Sequence, residues 1–363
     1  MKKILVVVGT RPNFIKITQF KTAAAVFNFD LKIVHTGQHF DDNLSAIFFN
    51  QLNLHPDFFL EVATPEPEVQ RFEIKTRLKE LMHKAFLPDL LIVVGDVNST
   101  RAAAEAAFDE NIKIAHIESG LRSFDRTMPE EINRIITDQI STYFFITEQS
   151  GVTNLLTEGK KQDHLYLVGN TMIDTLLAFN DQIQNDDILK RLSVTENNFA
   201  LVTLHRPSNV DTHDAMLRSL QLLAYIENNI PIVFPIHPRT YKALLSFNLL
   251  PELKKLKNII ITEPLGYFSI QKLISTCTFV LTDSGGLQEE TTFRKKPCIT
   301  LRPNTERPST IETGTNTLID MDLENIGRII SSIKNKTYKK GEIPPLWDGR
   351  ATERIFQILA ELL

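Results

Sequence analysis

Short, predominantly apolar runs recur along this chain, and they restrict its fold more than any other feature. They occupy residues 4–8, 31–34, 90–94, 112–115, 144–146 and 165–168, then 200–204, 230–236, 259–261, 279–281 and 298–301. Most are rich in β-branched residues, and longer amphipathic stretches such as 100–109 and 215–228 lie between them. A strand that is apolar at every position buries both of its faces, so the pattern predicts parallel sheets with helices packed on either side. Residues 179–199 interrupt the series with polar sequence, including Gln184-Asn185-Asp186-Asp187 and Glu196-Asn197-Asn198. With 363 residues against about 150 per domain, this stretch is read as a domain boundary. The expected organisation is a first doubly wound domain over 1–178, a second over 179–350 and an amphipathic helix over 351–363 that packs back on one of them. Two such domains in tandem would face each other across a central cleft lined by the carboxyl ends of their strands.

Several function classes are excluded early. Forty basic and 44 acidic residues leave a formal charge of -4, which supplies no field for nucleic acid or an anionic membrane surface. Cys277 and Cys298 belong to no CxxC or Cys/His spacing, so neither structural zinc nor a disulfide framework is signalled, and the usage suits a reducing cytoplasm. Met1-Lys2-Lys3 followed by 4–8 imitates a signal peptide, but the run ends at Gly9-Thr10-Arg11 and reads as the first strand. No run approaches the length of a membrane span. His35 and His39 have i,i+4 spacing, but Thr36-Gly37-Gln38 between them makes a loop rather than the helix a zinc pair needs, and no metal site is expected.

In such sheets ligands meet the loops beyond strand C-termini, and here those loops are uniformly polar. The first run enters Gly9-Thr10-Arg11-Pro12-Asn13-Phe14-Ile15-Lys16, the third Gly95-Asp96 and the fourth His116-Ile117-Glu118-Ser119-Gly120-Leu121-Arg122. In the second half the runs enter His205-Arg206-Pro207-Ser208-Asn209, His237-Pro238, Asp283-Ser284-Gly285-Gly286 and Arg302-Pro303-Asn304-Thr305-Glu306-Arg307. The Asp283 motif places two glycines at a helix start, where free N–H groups and partial positive charge can receive a diphosphate, with Glu290 placed to accept from ribose hydroxyls. Asp283 or Ser284 could equally be an ordinary N-cap. Arg11 and Lys16, in a loop stiffened by Pro12, could turn toward one anion, and Arg302 and Arg307 occupy a corresponding loop, which suggests a phosphorylated ligand. No GxGxxG or GxxxxGK[ST] follows a strand, against NAD binding and ATP hydrolysis. Asp96, Glu118, Glu130 and Glu131 are the acids available for proton transfer, although a helix opening at Pro129 explains one glutamate through the dipole alone. His205 is a candidate acid/base or phosphate group. His116 is most simply a hydrogen-bonded structural residue.

Together these segments, with Thr36-Gly37-Gln38-His39, Pro129-Glu130-Glu131-Ile132-Asn133-Arg134, Gly169-Asn170 and Thr305-Glu306-Arg307-Pro308, closely resemble the non-hydrolysing UDP-N-acetylglucosamine 2-epimerases, in order and over nearly the whole chain. The resemblance implies a GT-B fold, commonly a homodimer, and interconversion of UDP-GlcNAc and UDP-ManNAc without metal or NAD. It implies elimination of UDP to a 2-acetamidoglucal and re-addition after a proton returns to the opposite face of C2. It assigns Asp96, Glu118 and Glu130 as the acid/base set, with Lys16 and His205 close to sugar and diphosphate. The substrate set is Arg11, His237, Tyr267, Ser284, Gly285, Gly286, Glu290, Arg302 and Arg307, with Glu290 on the ribose and Tyr267 near the uracil. Asn13, Ser208, Arg239 and Ser309 depart from the residues the family often has, and an added Arg239 could pair with a carboxylate on a diacetamido-uronic sugar. A GT-B glycosyltransferase and a hydrolysing epimerase are the competing enzymes.

Overall fold

A computed structural model describes residues 1–38, 49 and 51–363 of the chain. It divides into two units, one of Met1–Ala178 with Pro345–Leu363 and one of Phe179–Pro344. Both are parallel α/β units, as the apolar runs predict. In the first, β1 (Lys3–Val8), β2 (Asp30–His35), β3 (Phe58–Phe59), β4 (Leu90–Val94), β5 (Lys113–Ile117), β6 (Tyr143–Ile146) and β7 (Leu165–Leu167) lie in the order β3-β2-β1-β4-β5-β6-β7. β1 holds the middle, with Val6 opposite Ile33 on one side and Ile92 on the other. The second contains β8 (Ala200–Thr203), β9 (Ile232–Pro235), β10 (Ile259–Thr262), β11 (Phe279–Thr282), β12 (Cys298–Leu301) and β13 (Asn316–Ile319), ordered β10-β9-β8-β11-β12-β13.

Why the strand segments carry no polar alternation is visible in the second unit. Val202, Phe234, Leu281 and Ile299 enter one core, whereas their neighbours Leu201, Val233, Val280 and Cys298 enter another. Both faces of this sheet are thus covered, and its strand residues are mostly apolar on either side. In the first unit the helices Pro67–Lys84 and Asn98–Asp109 cover one face, and the buried Ala102, Ala103, Ala106 and Ala107 let the second helix approach the sheet closely. Two strands escape the sequence pattern, both at sheet edges: β3 is two residues long, and β13 opens on a polar Asn316-Thr317. Cys277 and Cys298 are buried and unpaired. Among the described residues no helix is long and apolar enough to cross a membrane.

The C-terminal segment belongs physically to the first unit. The Trp347 indole donates to the Thr147 carbonyl at 3.1 Å, and Asp174 caps the helix Ala351–Leu362 by accepting from the Ala351 and Thr352 amides at 3.1 and 2.6 Å. Gly169 permits the approach, because a Cβ there would lie 2.0 Å from the Leu346 carbonyl oxygen and its φ is +91°. Phe356, fully buried, sets its ring edge on Phe20 at 5.4 Å. Phe356→Ala is therefore expected to cost about 3–5 kcal/mol of unfolding free energy by urea titration. A loss under about 1 kcal/mol would mean the helix contributes little to this unit.

Candidate active site

Each unit gathers polar residues at the carboxyl ends of its strands. In the first, the segment after β1 is not a loop but a helix, Arg11–Ile17, that Pro12 opens. Five residues apart on that helix, Arg11 and Lys16 leave its axis in directions about 140° apart. Lys16 instead pairs with Glu118 at the end of β5, both side chains buried. Glu118 adopts φ +70°, a left-handed conformation unusual outside glycine. Gly95, also at φ +70°, gives the pair its space: a Cβ there would stand 3.3 Å from the Lys16 Nζ and 3.4 Å from the Asn13 Nδ2. Asn13 fastens this floor by accepting from the Gly9 and Thr10 amides at 3.2 and 3.1 Å and donating to the Val94 carbonyl at 3.0 Å.

Asp96 follows Gly95, and the Arg134 guanidinium grips it at 2.5 Å from the helix Pro129–Ile140. Arg134 also holds Glu131 at 2.7 Å. The carboxylate of Glu131 accepts from the Ser123 and Phe124 amides at 2.9 and 3.0 Å. Glu131 is thereby a structural clamp on the 123–124 turn, while its neighbour Glu130 is half-buried in the first turn of the same helix. His116 is structural as expected, with Nδ1 on Asp138 at 2.7 Å and Nε2 on the Gly95 carbonyl at 2.8 Å. Arg122 completes that buried lattice through Asp138 at 2.7 Å.

In the second unit the helix Gly285–Phe293 starts at the end of β11, with Ser284 as N-cap residue but without a side-chain cap hydrogen bond. Asp283 is not a cap either. Its buried carboxylate accepts from the His205 and Arg206 amides at 2.9 and 2.8 Å and from the Asn209 amide at 3.1 Å, and meets the His205 Nδ1 at 2.8 Å. Burial alone would raise its pKa, but those donors hold it below the usual carboxylate range. His205 is so oriented, with the exposed His237 ring 5.1 Å away.

Around the helix start stand Arg302 and Arg307, with Glu306 between them. Arg302 meets Glu306 at 2.9 Å, and Arg307 meets both Glu306 and, at 2.9 Å, Glu289. A Cβ on Gly285 would come 3.0 Å from Glu306 and 3.1 Å from Arg307, so glycine gives these side chains room against the helix start. Arg302 leaves a buried Nη1 without a partner. One turn on, Glu290 is buried and its carboxyl is pushed up to about 7 by desolvation. Tyr267, also buried, faces it from the helix Tyr267–Thr276.

The sequence reading missed Arg134 and Glu306. Both lay inside quoted motifs, and an arginine three residues after a buried glutamate was a usable signal. The His35 part of the histidine pair stacks on Phe14 at 5.2 Å, and burial lowers its pKa to about 4. His39 lies outside the described residues. Among the described residues no group of three or more His, Cys, Asp or Glu is arranged to hold a metal.

The family model for UDP-N-acetylglucosamine 2-epimerase matches residues 21–360. The UDP-N-acetylglucosamine 2-epimerase of Methanocaldococcus jannaschii is 39% identical over 363 residues, covering 98% of both chains. A crystal structure of the enzyme from that organism, in complex with UDP-GlcNAc and UDP, superposes with a TM-score of 0.90 at 38% identity over 99% of each chain. The UDP-2,3-diacetamido-2,3-dideoxy-D-glucuronate 2-epimerase of Pseudomonas aeruginosa is 36% identical over 372 residues, covering 99% of this chain and all of its own.

The Asp283 cluster makes a stability prediction. A carboxylate whose folded pKa is depressed stabilises above its unfolded pKa of about 3.9, and that contribution is lost as pH falls through the folded value. Asp283→Asn should cost about 1–3 kcal/mol in urea titrations at pH 7, with the gap from the wild type closing below about pH 4. A gap that stays constant from pH 7 to pH 3 contradicts the charge assignment.

Proposed function

Because the chain belongs to the UDP-N-acetylglucosamine 2-epimerase family, we propose that it interconverts UDP-GlcNAc and UDP-ManNAc without hydrolysis, supplying a precursor for cell-surface polysaccharide. Two observations, one in each unit, support this reading: positioned carboxylates at Asp96 and Glu118 at strand ends of the first, and in the second a helix that starts at Gly285 with Arg302 and Arg307 beside it.

The division of labour follows from the chemistry. The C2 proton has no adjacent carbonyl, so it becomes acidic only as the anomeric C1–O bond breaks. Stabilising the departing diphosphate and removing the proton therefore belong to one step. Amides from Ser284 to Gly286, with Arg302 and Arg307, receive the charge that grows on UDP, each well-placed donor being worth about 3 kcal/mol in a dry site. Arg11, Lys16, His205 and His237 complete the charged lining in this reading, Glu290 takes the ribose and Tyr267 borders the uracil. A carboxylate among Asp96, Glu118 and Glu130 takes the C2 proton while the electron pair forms the C1–C2 double bond and UDP leaves. In the return step a second acid of the set delivers a proton to the other face of C2, and the UDP oxygen re-forms the bond to C1. Two acids suit inversion, because one group cannot serve both faces of a held ring. Arg134 and Lys16 fix the directions of Asp96 and Glu118. Elimination and re-addition involve no hydride transfer, and the two acids are reset by exchanging protons with solvent, so the cycle balances with these residues alone.

The relative acting on a diacetamido-glucuronate supports a second substrate. Arg239, the cation suited to a sugar carboxylate, forms an exposed ion pair with Asp211 through two hydrogen bonds of 2.8 and 2.6 Å. A cytoplasmic homodimer fits the family resemblance and the two unpaired buried cysteines.

Incubation with UDP-GlcNAc in D2O, followed by NMR, tests the proposal: UDP-ManNAc should appear with deuterium at C2. Free ManNAc would indicate hydrolysis, and an unchanged substrate would remove the proposal. Asp96→Asn should lower turnover by about 10²–10⁴ while UDP binding stays near the wild-type value. Wild-type turnover in that variant would reject the role of Asp96.

A further inference from the structure

The turn that carries Arg302 and Arg307 is tied down by a chain of amides and hydroxyls that the reaction scheme leaves unused. Residues 302–308 join β12 to the short helix Ser309–Glu312, and side chains fix their place against the helix Gly285–Phe293. The Thr305 hydroxyl donates to the Gln288 Oε1 at 2.8 Å and accepts from the Arg307 amide at 3.1 Å. Gln288, on that helix and fully buried, also accepts at Oε1 from the Asn316 Nδ2 at 3.0 Å and donates from Nε2 to the Ser284 carbonyl at 3.3 Å. Asn316, the polar opening of β13, is fully buried too, and its Oδ1 accepts from the Thr300 hydroxyl at 2.6 Å. Its Nδ2 donates to the Thr310 Oγ1 at 3.2 Å, and that hydroxyl donates to the Arg307 carbonyl at 2.8 Å. The amide and the carbonyl of Arg307 thus both lead, through one hydroxyl each, to the Gln288–Asn316 pair. Buried amides with their hydrogen bonds made are rigid, which also explains why an edge strand begins on asparagine.

We infer that Thr305, anchored by Gln288 and Asn316, is a positioning residue that holds Arg307 at the start of the helix Gly285–Phe293, where its guanidinium meets a diphosphate. This rests on the reading of that helix start as the place that receives UDP. The guanidinium already stands beside the helix: it pairs with Glu306 and, at 2.9 Å, with Glu289, and a Cβ on Gly285 would lie 3.1 Å from its Nη1. A long side chain follows its backbone, so a turn free to shift would spread the cation over positions that miss the phosphate oxygens. Stabilising a departing diphosphate needs donors fixed in advance, because such donors do not reorganise as the charge develops. The brace therefore acts on the phosphate end of the ligand, and a nucleoside without phosphates does not feel it. Removing the Thr305 hydroxyl takes away about one hydrogen bond of restraint, or about fivefold in affinity.

The test is calorimetric titration of UDP and of uridine into the wild type, T305V, T305S, R307M and the double variant T305V/R307M, paired with amide hydrogen exchange across residues 302–308 in the unliganded proteins. T305V should bind UDP about fivefold more weakly while binding uridine as the wild type does, and T305S, which keeps the hydroxyl, should restore UDP affinity. Added to R307M, the T305V change should cost less than about twofold more, because both act through one cation. Exchange across the turn should quicken in T305V and not in T305S. Wild-type UDP affinity in T305V, an equal weakening of UDP and uridine, a T305S that behaves as T305V, or a full second loss on R307M overturns the inference. A wild type without UDP affinity, beside exchange that quickens in T305V alone, overturns the diphosphate half together with the UDP reading, since the brace itself then stands.

Discussion

Parallel pairing is the constraint on which the rest of the structure depends. When every strand of a sheet runs the same way, all the carboxyl ends emerge along one edge, and every residue that follows a strand is delivered there whatever its place in the sequence. Glu118 and Asp96 lie 22 residues apart, yet β4 and β5 are neighbours and bring their ends together. Asp283 and His205 are 78 residues apart and meet because β11 lies beside β8. The apolar strand interiors and the charged strand ends are thus two aspects of one arrangement, the first providing the burial energy and the second the chemistry.

Charge at these edges is consistently held by opposite charge. Lys16 meets Glu118, Arg134 meets Asp96 and Glu131, and Arg302 and Arg307 share Glu306 with Glu289. Buried ions left single would be strongly unfavourable, so pairing is what permits so many of them near two sheets. Pairing also sets direction, and direction matters more to proton transfer than raw basicity when the acceptor carbon sits in a fixed ring. The left-handed backbone at Glu118, with glycine at position 95 beside it, shows how much local geometry is committed to aiming one carboxylate.

Much of this was legible in the sequence because its signals are local. Continuous apolar runs identified the strands, and Asp-Ser-Gly-Gly after a run located the helix start at Gly285. Pro129-Glu130-Glu131 marked a helix opening. What the sequence did not disclose are relations between distant side chains. Nothing near Asp283 says that its carboxylate is occupied by the 205–209 turn, nor that Arg239 pairs with Asp211.

The account's central claim is that the C1–O bond of the nucleotide sugar breaks and re-forms while C2 changes hand. It is tested most directly by placing ¹⁸O in the oxygen that joins C1 to the β-phosphorus of UDP-GlcNAc and following its position by ³¹P NMR during turnover. The account predicts that the label spreads into the non-bridging positions of the β-phosphate at a rate comparable to the formation of UDP-ManNAc. UDP-ManNAc formed with the label wholly retained in the bridge, under conditions where the diphosphate is free to rotate, would contradict it.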